Sequence, residues 1–267
     1  MSGYQIPKTP SAYEFPLLIR HLLSRLSTQH AEQQIIYSDE RRFSYREFFE
    51  RVQRLANGLT GLGIGVGDTV AVMDWDSHRY LECFFAVPML GAVLHTINIR
   101  LAPEQILYTI NHARDTVLLV HDDFAPILEE FKDEIPTVKR TLRLSDRQYE
   151  EADGSNQMEF DDKYESLISR ASPQFEAADF DENIRATTFY TTGTTGNPKG
   201  VYFSQRQIVL HTLGVAVALS SAAGQGRVHS DDVYMPITPM FHVHAWGIPY
   251  IATMLGLKQV YPGRYEP

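Results

Sequence analysis

Tyr190-Thr191-Thr192-Gly193-Thr194-Thr195-Gly196-Asn197-Pro198-Lys199-Gly200-Val201 gathers hydroxyls, three glycines and a lysine into one short stretch. The residues before it, Thr187 to Thr191, are β-branched and aromatic, which predicts a strand. After it, Ser204 with Gln207 three positions on forms a capping-box signature that predicts a helix start. The stretch therefore reads as a loop that joins a strand to a helix. Its glycines permit close backbone approach, and its amides, threonine hydroxyls and Lys199 ammonium suit anionic oxygens, so the loop reads as a clamp for a polyphosphate. A glycine-threonine hairpin turn with no ligand is the bland alternative.

Working outward, strands and helices alternate. Ser44 and Glu47 form another capping box, followed by Val52, Leu55, Leu59 and Leu62 at helical spacing up to the glycines at 61, 63, 65 and 67. Strands are expected at Thr69–Met73, Val93–Ile97, Thr116–His121 and Arg140–Leu144, with helices from Ser77 through Leu90, Pro103 to about Asn111 and Phe124 to about Glu134. That alternation implies βαβ units, so the fold class is α/β: layered αβα sublobes with mostly parallel sheets. Between Ser145 and Glu182 the composition turns acidic and reads as a solvated connector, a cation-binding role being the weaker alternative. Ile208 to Ala223 is apolar on nearly every side, which predicts a helix buried between layers, and Val233 to Thr238 predicts a strand. Pro16 to Leu26 is expected to form a short helix with Leu18, Leu22 and Leu26 on one side.

Composition excludes several classes. With 267 residues, 43% of them hydrophobic, the chain can bury a sizeable core, and a net charge of −9 without a lysine-arginine run argues against nucleic-acid binding. No stretch reaches the apolar length needed to span a bilayer, and the N-terminus lacks the pattern of a secretory signal. The single cysteine, Cys83, lies in an apolar run, where a buried thiol and a reducing cytoplasm are expected.

A second stretch, Pro239-Met240-Phe241-His242-Val243-His244-Ala245-Trp246-Gly247, follows the expected strand and reads as the wall of an apolar pocket. His242 and His244 at i and i+2 could share a strand face and chelate zinc, yet no third ligand stands at a recognisable spacing.

The first stretch lacks the spacing of the common P-loop. It closely resembles the phosphate-loop signature of the adenylate-forming superfamily, which comprises acyl-CoA synthetases, luciferases and the adenylation domains of peptide synthetases. The Phe-His-Val-x-Ala-Trp form of the second stretch is most similar to medium- and long-chain fatty acyl-CoA synthetases. Weaker blocks, Phe43 to Glu47, Leu62 to Asp68, Gly91 to Val93 and Asn98 to Pro103, extend the resemblance over nearly the whole chain. Two departures stand out: Thr188 replaces a usual aliphatic residue, and Gln205 replaces a frequent histidine.

The resemblance implies an N-terminal part of an adenylation domain over 1–267, with the acidic connector at about 145–182 and the phosphate loop at 190–201. It implies that Thr191 lies closest to a magnesium ion and that Thr192, Gly193, Thr194, Thr195 and Gly196 wrap the β- and γ-phosphates of ATP. Lys199 and His242 are implied as catalytic, with Lys199 on the phosphates and His242 near the reacting carboxylate. Val243 lines that site, Trp246 gates a fatty-acid tunnel, and His244 has no assigned role. The activity implied is joining of a fatty acid to the α-phosphate of ATP, release of pyrophosphate and transfer of the acyl group to the thiol of CoA. Alternatives are an adenylate-forming enzyme for another carboxylic acid and a noncatalytic nucleotide-binding module. The Tyr-Gly-x-Thr-Glu block, the ribose-holding aspartate and the catalytic lysine of a C-terminal domain are not found, so a fragment with negligible ligase turnover is expected. A cytoplasmic homodimer completes the expectation.

Overall fold

The computed structural model describes residues 7, 9–24, 28–39, 41–146, 158–191, 196–221 and 226–264. In chain order the elements are β1 (Gln34–Tyr37), β2 (Arg41–Ser44), α1 (Tyr45–Gly61), β3 (Thr69–Met73), α2 (His78–Met89), β4 (Val93–Thr96), α3 (Pro103–Ala113), β5 (Val117–His121), α4 (Ala125–Glu129), β6 (Arg140–Leu144), β7 (Asp162–Lys163), α5 (Tyr164–Arg170), β8 (Arg185–Thr191), β9 (Lys199–Ser204), α6 (Gln205–Ser221), β10 (Val233–Tyr234) and β11 (Lys258–Tyr261). A last helix, Ile248–Leu255, precedes β11.

The main sheet has the order β7-β6-β5-β3-β4-β8-β9 and is parallel throughout except for the β8–β9 pair. Because β4 follows β3 on one side and β5 returns to its other side, the winding direction reverses at β3. A ligand site is expected outside the carboxyl ends of the strands at such a point. Alternate residues of each strand feed two cores. Val70, Val72, Leu94 and Leu119 pack toward α1 and α2, while Ala71, Met73, Leu118 and Val120 pack toward α3 and α4. The α/β class with mostly parallel sheets is therefore what the chain adopts. A smaller sheet, β10-β11-β1-β2, stands beside it, with parallel β10–β11 and β11–β1 pairs and an antiparallel β1–β2 pair.

Local signals that rest on backbone chemistry hold. Ser44 and Glu47 make the capping box reciprocally, Glu47 accepting from Ser44 N at 2.7 Å and Ser44 Oγ accepting from Glu47 N at 3.2 Å. A cap of this kind contributes about 1 kcal/mol. Below it α1 buries Phe48, Val52, Leu55, Ala56 and Leu59 as one stripe. The α2 helix is buried along its whole length, and its charges are satisfied internally. Glu82 accepts from Arg51 Nε at 2.6 Å and from Tyr164 Oη at 2.6 Å, and Arg79 donates to Asp74 at 3.1 Å.

Several expectations give way to tertiary context. The loop does not lead straight into a helix: Lys199–Ser204 first pairs back on β8 as an antiparallel edge strand, because Val201, Tyr202 and Phe203 suit a strand. The capping box at Ser204 then starts α6 as expected, with Ser204 N donating to Gln207 Oε1 at 2.9 Å. That helix is not buried between layers. Ile208, Val209, Thr212 and Ala216 face inward, while Leu210, Leu213 and Val217 lie on the exposed side.

The helix expected from Phe124 to Glu134 divides into α4 and flanking single turns, because Phe131 leaves the helical region at φ −134° to bury its ring. The acidic connector is partly built into the fold. Within it β7 and α5 dock on the sheet edge, burying Tyr164, Leu167 and Ile168, and Glu165 pairs with Arg51 at 2.9 Å. The strand expected at Val233–Thr238 keeps only Val233–Tyr234, and of Pro16–Leu26 only a 3₁₀ turn at Ile19–Leu23 forms. Leu26 is outside the described residues.

Candidate active site

The phosphate-loop stretch leaves the carboxyl end of β8. Its first foot is Thr191, which stands opposite Lys199 in the β8–β9 register and whose Oγ1 donates to Lys199 O at 3.5 Å. Thr192, Gly193, Thr194 and Thr195 lie outside the described residues. Gly196 has φ +95°, a conformation that side-chain-bearing residues rarely adopt. Lys199 is exposed at the start of β9.

The strand beneath the loop is anchored through Tyr190. Its buried hydroxyl meets Nδ1 of His112 on α3 at 2.7 Å, and its ring lies 5.1 Å from that of His95. Burial pushes the Tyr190 phenol well above its ordinary range, so it stays protonated. His95 in turn meets the buried Asp115 carboxylate at 2.8 Å. Gly200 lies close against this tyrosine: a Cβ there would come within 3.3 Å of the Tyr190 ring.

Both sequence departures have structural uses. Thr188 Oγ1 donates across the hairpin to Val201 O at 3.0 Å. Gln205, fully buried, accepts from Ile19 N at 2.9 Å and donates to Pro88 O at 2.8 Å, joining the N-terminal turn to the end of α2.

Pro239–Gly247 does not close a strand. Met240 and Phe241 are buried at the carboxyl ends of β3 and β4, held by Met240 N donating to Asp76 Oδ1 at 2.7 Å and Thr96 Oγ1 donating to Phe241 O at 3.1 Å. The chain then makes a turn of left-handed sense, with φ of 48°, 54°, 49° and 58° at Val243, His244, Ala245 and Trp246 and 71° at Gly247. Left-handed conformation costs an L-residue roughly 1–2 kcal/mol, so surrounding contacts must hold the turn. Trp246 O meets His211 Nε2 of α6 at 3.0 Å, and Gly247 fits because a Cβ there would lie 2.8 Å from the His211 ring.

The turn separates the two histidines. His244 is buried among Phe84, Phe189 and Phe203, with ring centroids 5.8, 5.2 and 6.2 Å away, and burial lowers its pKa to about 3. It is a neutral core residue. His242 is exposed. They do not share a strand face, and among the described residues no three His, Cys, Asp or Glu side chains are grouped to hold a metal ion.

A cavity of about 140 Å³ opens beside the turn, lined by Phe203, Ile208, His211, Val243, His244 and Trp246. Its walls are mainly apolar, and the Trp246 side chain, 59% exposed, stands at its edge. The register of Thr96 with Phe189 places the carboxyl ends of β4 and β8 side by side. Thr191, Lys199, Met240 and Phe241 thus lie at the carboxyl ends of neighbouring strands.

Asp76 was not among the residues singled out from sequence. It follows β3 at the point where the winding reverses, and burial, reinforced by the Asp74 charge, raises its pKa to about 6. A carboxylate just past a central strand was the available signal.

Residues 23–267 match the family model described as AMP-binding enzyme. The chain is 41% identical over 227 residues to a long-chain-fatty-acid–CoA ligase of Thermus thermophilus, covering 85% of this chain and 39% of that protein. It is 37% identical over 251 residues to a medium-chain-fatty-acid–CoA ligase of Ectopseudomonas oleovorans, covering 92% of this chain and 44% of that protein. The chain thus spans less than half the length of these curated relatives. Its fold superposes on a long-chain-fatty-acid–CoA ligase from Archaeoglobus fulgidus with a TM-score of 0.79 at 21% identity, over 98% of this chain and 50% of that one. On the family match and the identity to its relatives, the chain belongs to the AMP-binding enzyme family.

Proposed function

We propose that these residues form the phosphate-binding and acyl-binding side of a fatty acid–CoA ligase. The fatty acid carboxylate attacks the α-phosphate of ATP, pyrophosphate leaves, and the acyl group passes from the acyl-adenylate to the CoA thiol. The observation that carries the reading is that both stretches meet the carboxyl ends of neighbouring strands: Thr191 ends β8 opposite Lys199, and Met240 and Phe241, just before the cavity-lining Val243 and Trp246, are bound at the ends of β3 and β4. Joining two anions requires cationic and amide donors around the phosphates. We assign that work to Lys199 and to Thr192, Gly193, Thr194, Thr195 and Gly196, place His242 beside the reacting carboxylate, and give Trp246 the edge of the acyl tunnel.

Thr191 fits a magnesium ligand: its hydroxyl proton is directed at Lys199 O, which leaves oxygen lone pairs for a hard cation. When bound, magnesium neutralises charge on the phosphates. Among the described residues no helix is long and apolar enough to cross a membrane. The reading includes a cytoplasmic location, in keeping with one buried free cysteine, and a homodimer, which light scattering tests.

The test uses the 267-residue chain. Calorimetric titration with ATP and magnesium should show binding that weakens about tenfold in Lys199→Ala, the scale of one charge-assisted contact. In a Trp75→Phe background, Trp246 emission should respond to decanoate and not to benzoate or leucine. A response to benzoate or leucine alone would move the substrate to another acid. ATP binding with no response to any acid would leave a nucleotide-binding module.

A further inference from the structure

The stretch that carries Val243 and Trp246 is fixed to the main sheet by few polar contacts. Two stand out, the Thr96 hydroxyl on Phe241 O and the Asp76 carboxylate on Met240 N, and only the second is ionisable. The Met240 contact is short, at 2.7 Å, and its acceptor is half-buried, so a change of charge there is only partly screened. Asp76 is itself held in place. Its carbonyl accepts from Gly263 N at 3.0 Å, in an isolated antiparallel bridge between Asp76 and Gly263. The residue therefore links three segments: the end of β3, the acyl stretch, and the chain that follows β11.

We propose that Asp76 is a positioning residue for the acyl site: its carboxylate fixes Met240, and through it the left-handed turn, in the orientation that presents Val243 and Trp246 to the cavity, and protonation loosens that hold. The proposal rests on the acyl reading of Pro239–Gly247.

Two charged side chains and three phenols surround Asp76. Asp74, on the same strand end, is held by Ser77 Oγ at 2.6 Å and by Arg79. Arg100, after β4, lies with its guanidinium 5.8 Å from the Phe241 ring and attracts the Asp76 charge. Tyr80 of α2, Tyr234 of β10 and Tyr261 of β11 face it as phenols whose burial keeps them protonated. Burial places the Asp76 pKa at about 6, so its charge changes within a physiological range. An N–H bond to a carboxylate is roughly twice as strong as one to a neutral acceptor, so protonation weakens the Met240 contact without removing the atoms that make it.

The chain labelled with ¹⁵N at methionine tests this by NMR between pH 5 and 8, the Met240 amide being assigned by its disappearance in Met240→Leu. In the wild-type chain that amide should move in one protonation step with a midpoint near pH 6. In Asp76→Asn, which keeps the acceptor but not the charge, the step should vanish. A Met240 amide that does not move, or that moves equally in Asp76→Asn, overturns the proposal.

The consequence for the site is read with 1-decanol, whose own charge does not change, on Trp246 emission in the Trp75→Phe background. Decanol affinity should fall at least about threefold from pH 7.5 to pH 5 in the wild type, the loss of part of one hydrogen bond, and stay level in Asp76→Asn. A level wild-type affinity overturns the positioning role. No decanol binding at either pH overturns the acyl reading of the cavity, while the Met240 titration still decides whether the contact titrates.

Discussion

The Tyr190 hydroxyl and Nδ1 of His112 lie 2.7 Å apart, which ties β8, the strand that ends at Thr191, to helix α3. The contact is buried on the tyrosine side and completes a chain of groups running through His95 to Asp115. Removing the hydroxyl in Tyr190→Phe should cost about 1 kcal/mol of stability by urea denaturation, the net worth of one such bond. Under the proposed function it should also weaken ATP binding by this chain, since Thr191 is the next residue. A variant with unchanged stability would mean that the bond is not maintained in solution.

Asp76 sets a pH dependence of stability whose sign differs from that of a paired carboxylate. Its pKa rises from 3.8 to about 6 on folding, so between those values the folded chain holds the proton that the unfolded chain has released. Stability from this group is therefore lost as pH rises from about 4 through 6. Asp76→Asn removes the effect and should stabilise the chain at pH 7.5, by up to about 3 kcal/mol for a shift of about two units, and change little at pH 4. Thermal melts of the two chains at both pH values check it.

His244 acts in the opposite direction. Burial lowers its pKa from 6.5 to about 3, so the unfolded chain takes up a proton that the folded chain refuses as pH falls below 6.5. Stability is lost progressively down to about pH 3. His244→Phe, set among Phe84, Phe189 and Phe203, should flatten that acid limb while keeping the fold. Acid unfolding curves followed by circular dichroism distinguish the two. His78, buried with its pKa also at about 3, should leave a residual acid sensitivity.

Gln205→Ala should destabilise the chain by about 3 kcal/mol, because it strands both Ile19 N and Pro88 O in the interior. Gln205→Glu keeps the acceptor for Ile19 N but loses the donor to Pro88 O and adds a buried charge, so it should be at least as damaging at neutral pH. Chemical denaturation of both variants measures the difference.

What could be read in advance follows the range of the forces involved. Capping at Ser44 and Ser204, the apolar stripe of α1, the buried strands β3 and β5 and the half-buried β6 depend on neighbours within a few positions, and they stand where the sequence placed them. The strand β9 was hidden because three β-formers between a loop and a cap look like a short linker until β8 supplies a partner. The small sheet escaped for the same reason: β1 and β11 are more than two hundred positions apart and pair only through tertiary contact. Pro239–Gly247 was recognised as a motif, but nothing local announces four non-glycine residues in left-handed conformation, which the His211, Thr96 and Asp76 contacts impose. Asp76 and His211 went unnoticed because each works through a partner far along the chain.

The antiparallel return of β9 on β8 makes Thr191 and Lys199, the two positions that flank the proposed phosphate-binding residues, a single mechanical part. Thr191 and Lys199 are Cα partners across one ladder, so their separation is fixed by the sheet and does not depend on the span between them. The two backbone mounts act like the jaws of a fixed-gauge caliper, from one of which the flexible Lys199 side chain reaches out. A substitution between the two positions leaves this spacing to the ladder, and only one that breaks the hairpin changes it.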